Sequence, residues 1–210
     1  MKLKSFGFCL AINPYGGSLF VYAKVLHRDF YMNKAVFLDR DGTLIKDNGF
    51  LKDCSKVDFY AFTVPALKLL QEHFALFIVT NQCGIADGIT SQAEVDQVNA
   101  HVIEHLTANG IRIVDCYVCP HAIGEGCECR KPEPFFAESA AAEYNLDLSG
   151  SYMIGDHLSD VKFAEAFGGQ GMYVLTGHGL HHYRSLPENV NVCKNILSAA
   201  RKICQPLHTH

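Results

Sequence analysis

The stretch Val36-Phe37-Leu38-Asp39-Arg40-Asp41-Gly42-Thr43 carries an apolar run into two aspartates, one residue apart, and then into a glycine turn. A short apolar run ended by turn chemistry reads as a buried strand of a parallel sheet. In open α/β sheets, reactive groups and ligands gather just beyond the carboxyl ends of such strands. Asp39 and Asp41 are expected there. Taken alone, the same letters also fit an ordinary Asp-Gly turn, which Asp and Gly favour for local reasons. The rest of the chain decides between the two.

Outward from this stretch the pattern repeats. Strand one is expected to run to about Leu38, and residues 44–62 read as a loop or a small flap. Residues 65–73 suit a helix with Thr63 as its cap. A second apolar run at residues 75–79 ends at Thr80-Asn81-Gln82. Ser91 and Glu94 have capping-box spacing, Val95, Val98, Val102 and Leu106 follow at helical spacing, and Asn109-Gly110 is a stop. A strand at 111–118, a Cys/His loop at 119–131 and an alanine-rich helix at 134–144 come next. Residues 152–154 then enter Gly155-Asp156, with a helix at about 159–167, a strand at 171–175 and a last helix at about 192–203. Strands alternating with helices predict an α/β fold, a Rossmann-like parallel sheet with helices on both faces.

A chain of 210 residues holds one such domain, or at most two small ones. With 49% hydrophobic and 19% charged residues it has the composition of a soluble globular protein. A net charge of −4 argues against a polyanion-binding surface, so nucleic acid is not an expected partner. No apolar stretch is long enough to span a membrane. Nine cysteines is a high count, and the crowding of Cys119, Cys127 and Cys129 beside a histidine suggests metal binding and a reducing, cytoplasmic compartment. Residues 1–31 read as an N-terminal extension without catalytic residues. They fit either a hairpin around the turn at 13–17 or a leader ahead of a natural start at Met32, and the working domain is residues 32–210. The oligomeric state is left open, a monomer included.

Four polar clusters arrive in order: Asp39/Asp41, Thr80-Asn81, Arg130-Lys131 and Asp156/Asp160. Strand-end loops of a parallel sheet open on one edge, so groups distant in sequence can converge there. Several carboxylates in one crevice raise each other's pKa unless a cation is present. Mg²⁺ is the usual hard ion where a phosphate completes the coordination shell. In such a site Asp39 can attack phosphorus, and Asp41 can protonate the leaving oxygen and later activate water. Thr80 can donate to a phosphoryl oxygen, Lys131 can supply fixed positive charge, Asp156 can anchor the metal and Asp160 can orient the residues around it.

These motifs, Asp39-Arg40-Asp41-Gly42-Thr43, Thr80-Asn81-Gln82, Lys131-Pro132 and Gly155-Asp156 with Asp160, resemble those of the haloacid dehalogenase superfamily of phosphatases over about residues 34–180. The resemblance implies an Mg²⁺-dependent phosphohydrolase with Asp39 as nucleophile and Asp41 as general acid/base. It also implies Mg²⁺ held by the Asp39 carboxylate, the Asp41 backbone carbonyl and Asp156.

The Cys/His loop offers Cys119, His121, Cys127 and Cys129, three thiolates and one imidazole, a known structural zinc set. Buried free cysteines would be the plainer reading. The loop is poor core material, however, since it contains Gly124, Glu125, Gly126 and Glu128. Zinc there would aim Arg130 and Lys131. The run Cys-x-His to Cys-x-Cys-Arg-Lys-Pro is similar to the branch of D-glycero-D-manno-heptose 1,7-bisphosphate and histidinol-phosphate phosphatases, which implies no large cap domain. Only 36 residues separate Thr43 from Thr80, in agreement. Substrate choice then falls to the loops, with Asn81 and Arg130 as substrate contacts and a small phosphorylated molecule, most simply the heptose, as substrate. The short zinc loop is closer to the histidinol-phosphate pattern. Asp87 stands where the heptose enzymes commonly carry arginine, which adds repulsion toward a second phosphate. A zinc-stabilised binding module is the reading from a different class. It predicts a basic loop, and Glu125 and Glu128 oppose that. Among the other histidines, His101 and His105 fit a solvated helix face, while His157 and His178 are strand-end residues within reach of substrate.

Overall fold

A computed structural model of the chain describes residues 33–205. The readings for residues 1–31 and for a start at Met32 lie outside the described residues. Strand β1 (Ala35–Leu38) is buried along its whole length. It pairs in parallel with β2 (Ala75–Asn81) on one side and β4 (Tyr152–Gly155) on the other. Strand β3 (Ile113–Cys119) extends the sheet beyond β2, and β5 (Gln170–Val174) and β6 (Asn191–Cys193) extend it beyond β4. The order is β3-β2-β1-β4-β5-β6. The chain moves outward from β1 in one direction, then returns beside β1 and moves outward in the other. Such a reversal opens a crevice at the carboxyl ends of the central strands.

Side chains alternate across a strand, so each central strand serves two cores. Val36, Leu38, Leu76, Ile78, Ile154, Met172 and Val174 face one core. Helices α1 (Thr63–Leu70), α2 (Gln92–Ala108) and α6 (Ile196–Cys204) cover it with Leu67, Leu70, Val98, Val102, Leu106 and Ile196. Phe37 and Phe77 face the opposite side. There Phe37 packs on Phe163 and Phe167, at and just past α4 (Leu158–Ala166), and Phe77 packs on Tyr144 of α3 (Phe135–Tyr144). Aromatic pairs at 5.3 to 5.9 Å between centroids, tilted or edge-on, are in the favoured range. A four-residue helix, α5 (Gly179–His182), follows β5.

Two expectations need correction. The last segment is not one helix: Asn191–Cys193 is an edge strand, and Asn195 then caps α6 by accepting from the Ser198 amide at 3.0 Å. A three-residue strand has no periodicity to read, and it forms because β5 leaves an edge to pair with. Thr63 does not cap α1. Its buried hydroxyl instead donates to the Leu44 carbonyl at 2.7 Å, tying the helix to the loop after β1. Residues 44–62 form a loop, as expected, and the loop is held against the core. Leu44, Ile45 and Leu51 are buried, and Ile45 bridges to Asp41 and Phe59. The Ser91–Glu94 capping box and the stop at Asn109 are present as expected.

Candidate active site

The crevice at the carboxyl edge of β1, β2 and β4 is a cleft of about 440 Å³ lined by Asp39, Asp41, Thr80, Asn81, Arg130, Lys131, Asp156 and Asp160. The eight residues of the four polar clusters are all brought together there, with His157 and His178 beside them. The Asp39 amide donates to the Ile154 carbonyl at 3.0 Å, so β1 hands its first aspartate directly over β4. Lys131 reaches across from the far side of β2. Its Nζ lies 2.6 Å from Asp39 Oδ1, 2.7 Å from Asp160 Oδ1 and 2.8 Å from the Val79 carbonyl. Burial alone would depress this ammonium, but Asp160 and Asp39 outweigh burial and hold its pKa above the ordinary lysine value.

One lysine does not neutralise this cluster. Asp39, Asp156 and Asp160 each offer a carboxylate oxygen, all within 4.8 Å of one another, and all three residues are buried. Burial, with neighbouring carboxylates added, pushes Asp39 up to about 7 and Asp156 up to about 9, against the pull of Lys131. Oxygen-only donors with surplus negative charge suit a hard divalent cation such as Mg²⁺.

Two glycines keep Asp156 in place. A Cβ on Gly42 or on Gly177 would strike the Asp156 carboxylate, and both glycines have positive φ, +78° and +51°. The His178 amide donates to Asp156 Oδ2 at 2.7 Å. Asp160 is held by the start of α4, where its Oδ2 accepts from the His157 amide at 3.0 Å in a capping box. Gly155 makes room for it, since a Cβ there would strike the Asp160 carboxylate.

Thr80 is 1% exposed, and its hydroxyl oxygen accepts from Gln82 Nε2 at 2.8 Å, which leaves its proton to donate into the cleft. Asn81 lines the cleft, but its amide is engaged with the Lys131 backbone. Oδ1 accepts from the Lys131 amide at 3.1 Å and Nδ2 donates to the Lys131 carbonyl at 3.3 Å. Asn81 therefore positions Lys131. Arg130 is half-buried at the rim and donates to the His121 carbonyl at 3.2 Å.

Behind Arg130 the four Cys/His ligands converge, with every ligand atom within 4.8 Å of the others. The Cys119–Cys127 and Cys127–Cys129 sulfur distances are 3.6 and 3.8 Å, and His121 Nδ1 lies 3.2 Å from Cys129 Sγ. Tetrahedral zinc with Zn–S bonds of about 2.3 Å requires sulfurs about 3.8 Å apart. The donor set and the spacing fit that ion. Burial and the adjacent thiols push the Cys129 thiol well above its ordinary pKa, an arrangement that a bound cation would relieve.

Sequence reasoning missed several cleft residues. Asp47 lines the cleft and meets His178 Nε2 at 2.7 Å, and Ser159 and Ile123 line it too. Ile123 stands 79% exposed at the zinc loop, and an apolar residue amid glycines and glutamates was its available signal. Asp47 and Ser159 carry no motif. Asp87 lies exposed on the loop after β2 and is not among the residues lining this cleft. His101 and His105 are exposed on α2, as expected, and His105 stacks on Phe59 at 4.0 Å.

The chain matches a family model described as "HAD-hyrolase-like" over residues 128–199. It is 36% identical over 152 residues to the D-glycero-beta-D-manno-heptose-1,7-bisphosphate 7-phosphatase of Yersinia pestis, covering 68% of this chain and 81% of that one. It is 31% identical over 182 residues to the enzyme of the same name from Escherichia coli strain K12, covering 82% and 93%. Among solved structures it is similar to the D,D-heptose 1,7-bisphosphate phosphatase of B. bronchiseptica in complex with magnesium and phosphate. That similarity has a TM-score of 0.75 and 30% identity, over 82% of this chain and 98% of the other. The chain belongs to the haloacid dehalogenase-like phosphatases, within the family of the heptose-1,7-bisphosphate 7-phosphatases, and is a phosphoric monoester hydrolase.

Proposed function

We propose that this protein removes the 7-phosphate of D-glycero-D-manno-heptose 1,7-bisphosphate through an aspartyl-phosphate on Asp39. The observation that carries the chemistry is the buried Asp39–Lys131–Asp160 array facing Asp156 across the cleft. In the proposed cycle an Asp39 carboxylate oxygen attacks phosphorus while the phosphorus–oxygen ester bond breaks. Asp41 gives its proton to the departing sugar oxygen. Asp41 then takes a proton from water, and the resulting nucleophile attacks the same phosphorus, freeing phosphate and Asp39. Thr80 and Lys131 donate to the phosphoryl oxygens as negative charge spreads over them. Mg²⁺, held by the Asp39 and Asp156 carboxylates and the Asp41 carbonyl, would supply the charge that brings an anionic substrate against an anionic nucleophile.

Zinc in the Cys119/His121/Cys127/Cys129 set is assigned a structural role, since all four positions are protein side chains. Arg130, carried by that loop, is assigned to the sugar or its second phosphate. The catalytic unit is assigned to residues 32–210, with residues 1–31 an appended segment that carries none of the named groups. A cytoplasmic location is supported by the eight free cysteines among the described residues, and no helix there is long and apolar enough to cross a membrane.

The short zinc loop keeps histidinol phosphate as the second reading. The heptose is favoured by the related enzymes and by the place of Asp87 away from the cleft lining. Phosphate release measured with Mg²⁺ on both substrates separates them: kcat/KM is expected to be at least about tenfold higher for the heptose bisphosphate. The reverse ratio would assign histidinol phosphate. Asp39→Asn is expected to abolish turnover on either substrate while leaving the circular dichroism spectrum unchanged.

A further inference from the structure

Arg40 is 0% exposed, although it sits between the two aspartates that head the cleft. It is not among the residues that line the cleft. It folds onto Asp41, with Nε 3.1 Å and Nη2 2.7 Å from Asp41 Oδ2. Its remaining arm, Nη1, donates to Asn99 Oδ1 at 2.7 Å. Asn99 is itself buried, on the inner face of α2 between Val98 and Val102. Gln82 Nε2 adds a third donor to the same oxygen, Asp41 Oδ2, at 2.8 Å. The other oxygen, Oδ1, is buried and has no hydrogen-bond partner among the described residues.

This asymmetry has a chemical consequence. An oxygen that accepts from three N–H groups has no free direction for a proton of its own, and a proton placed there would face its donors. The three donors therefore hold Oδ2 as an acceptor and anchor the carboxylate by that oxygen. Two guanidinium N–H groups converge on that one oxygen, a directed contact that a single ammonium does not reproduce. Asn99 in turn fixes the guanidinium to a 17-residue helix that packs on the sheet.

We propose that Arg40, anchored by Asn99, is a positioning residue that holds the Asp41 carboxylate, through Oδ2, in place for proton delivery to the leaving oxygen. This rests on the acid/base reading of Asp41. Proton delivery matters for a sugar alkoxide, a poor leaving group, and hardly at all for 4-nitrophenolate, which departs unaided. The two substrates therefore separate positioning from support of the fold.

The test measures kcat/KM with Mg²⁺ on the sugar phosphate and on 4-nitrophenyl phosphate, since this parameter reports steps up to leaving-group departure. Asp41→Asn, Arg40→Met, Arg40→Lys and Asn99→Ala are compared with the parent. Asp41→Asn is expected to lose about 10²- to 10⁴-fold on the sugar phosphate and far less on the aryl ester. Arg40→Met should show the same selectivity at about 10- to 100-fold, with KM changed less than about threefold. Arg40→Lys, which keeps the charge and loses the fork, should recover only part of the loss. Asn99→Ala should follow in the same direction at about three- to tenfold, and it carries the test if Arg40→Met does not fold. A selective loss in Asp41→Asn with equal losses on both substrates in the Arg40 and Asn99 variants overturns the positioning role alone. Equal losses already in Asp41→Asn overturn the acid/base reading and the positioning role with it.

Discussion

Lys131 is the residue on which the electrostatics of the cleft turn. Its ammonium is enclosed with Asp39 and Asp160, and removing one partner of such a group leaves the others as uncompensated buried charge. Lys131→Met is therefore expected to destabilise the metal-free protein by about 3–5 kcal/mol, read from the urea midpoint. Adding Asp160→Asn to it should restore part of that loss, because one of the stranded carboxylates is gone. Phosphate release should stay low in both, since neither variant has the Lys131 ammonium beside the Asp39 nucleophile. Asn81 illustrates how a side chain's role depends on its neighbours. An amide at a strand end reads naturally as a substrate contact, yet both of its polar ends meet the Lys131 backbone across 50 residues of sequence.

At the scale of elements, the site is made by turns that are held from behind. The turn after β1 and the turn after β5 approach so closely that only glycine fits at Gly42 and Gly177, and Asp156 is wedged against both. The loop after β3 has little apolar content, with four residues that converge instead on a common point. If zinc occupies that point, the purified protein should contain about one zinc per chain by plasma mass spectrometry. Cys129→Ser should lose the metal, lower the Tm and raise KM more than it lowers kcat, because Arg130 is tied to this loop through the His121 carbonyl. A zinc-free parent protein with the same Tm and KM would remove the structural role assigned to the ion.

For the whole molecule, the buried carboxylates link stability to pH. Asp39 and Asp156 titrate at about 7 and about 9 in the folded, metal-free protein, above the unfolded value near 3.8, mainly because of burial. Between these limits the native state holds more protons than the unfolded state, so its stability falls as pH rises. The Tm of the metal-free protein is expected to decline from about pH 5 to pH 9. Mg²⁺ binds the deprotonated carboxylates, so the Tm increase it produces should grow over the same range. A Tm that is flat across this range, with or without Mg²⁺, would show that the cluster is not coupled to folding.

Much of this protein was readable from its letters, because the deciding signals are local. A central parallel strand is an unbroken apolar run, and its end is marked by the polar residues that the strand itself delivers: Asp39, Thr80 and Asp156. Their order along the chain sufficed for the fold class, the reaction class and eight of the groups that line the cleft. The sequence had no means to determine which groups would pair. Arg40 meets Asn99 across 59 residues, Lys131 meets Asp39 across 92, and Thr63 turns to the Leu44 carbonyl rather than to its own helix. Strand β6 likewise exists because β5 offers it an open edge. Such contacts depend on which elements the sheet order makes neighbours, and no local pattern encodes that. The sequence by itself determined what chemistry the chain carries to the carboxyl edge of its sheet. Only the tertiary structure decided how each carboxylate there is held, because burial and the identity of the nearest cation set its charge and its free oxygen.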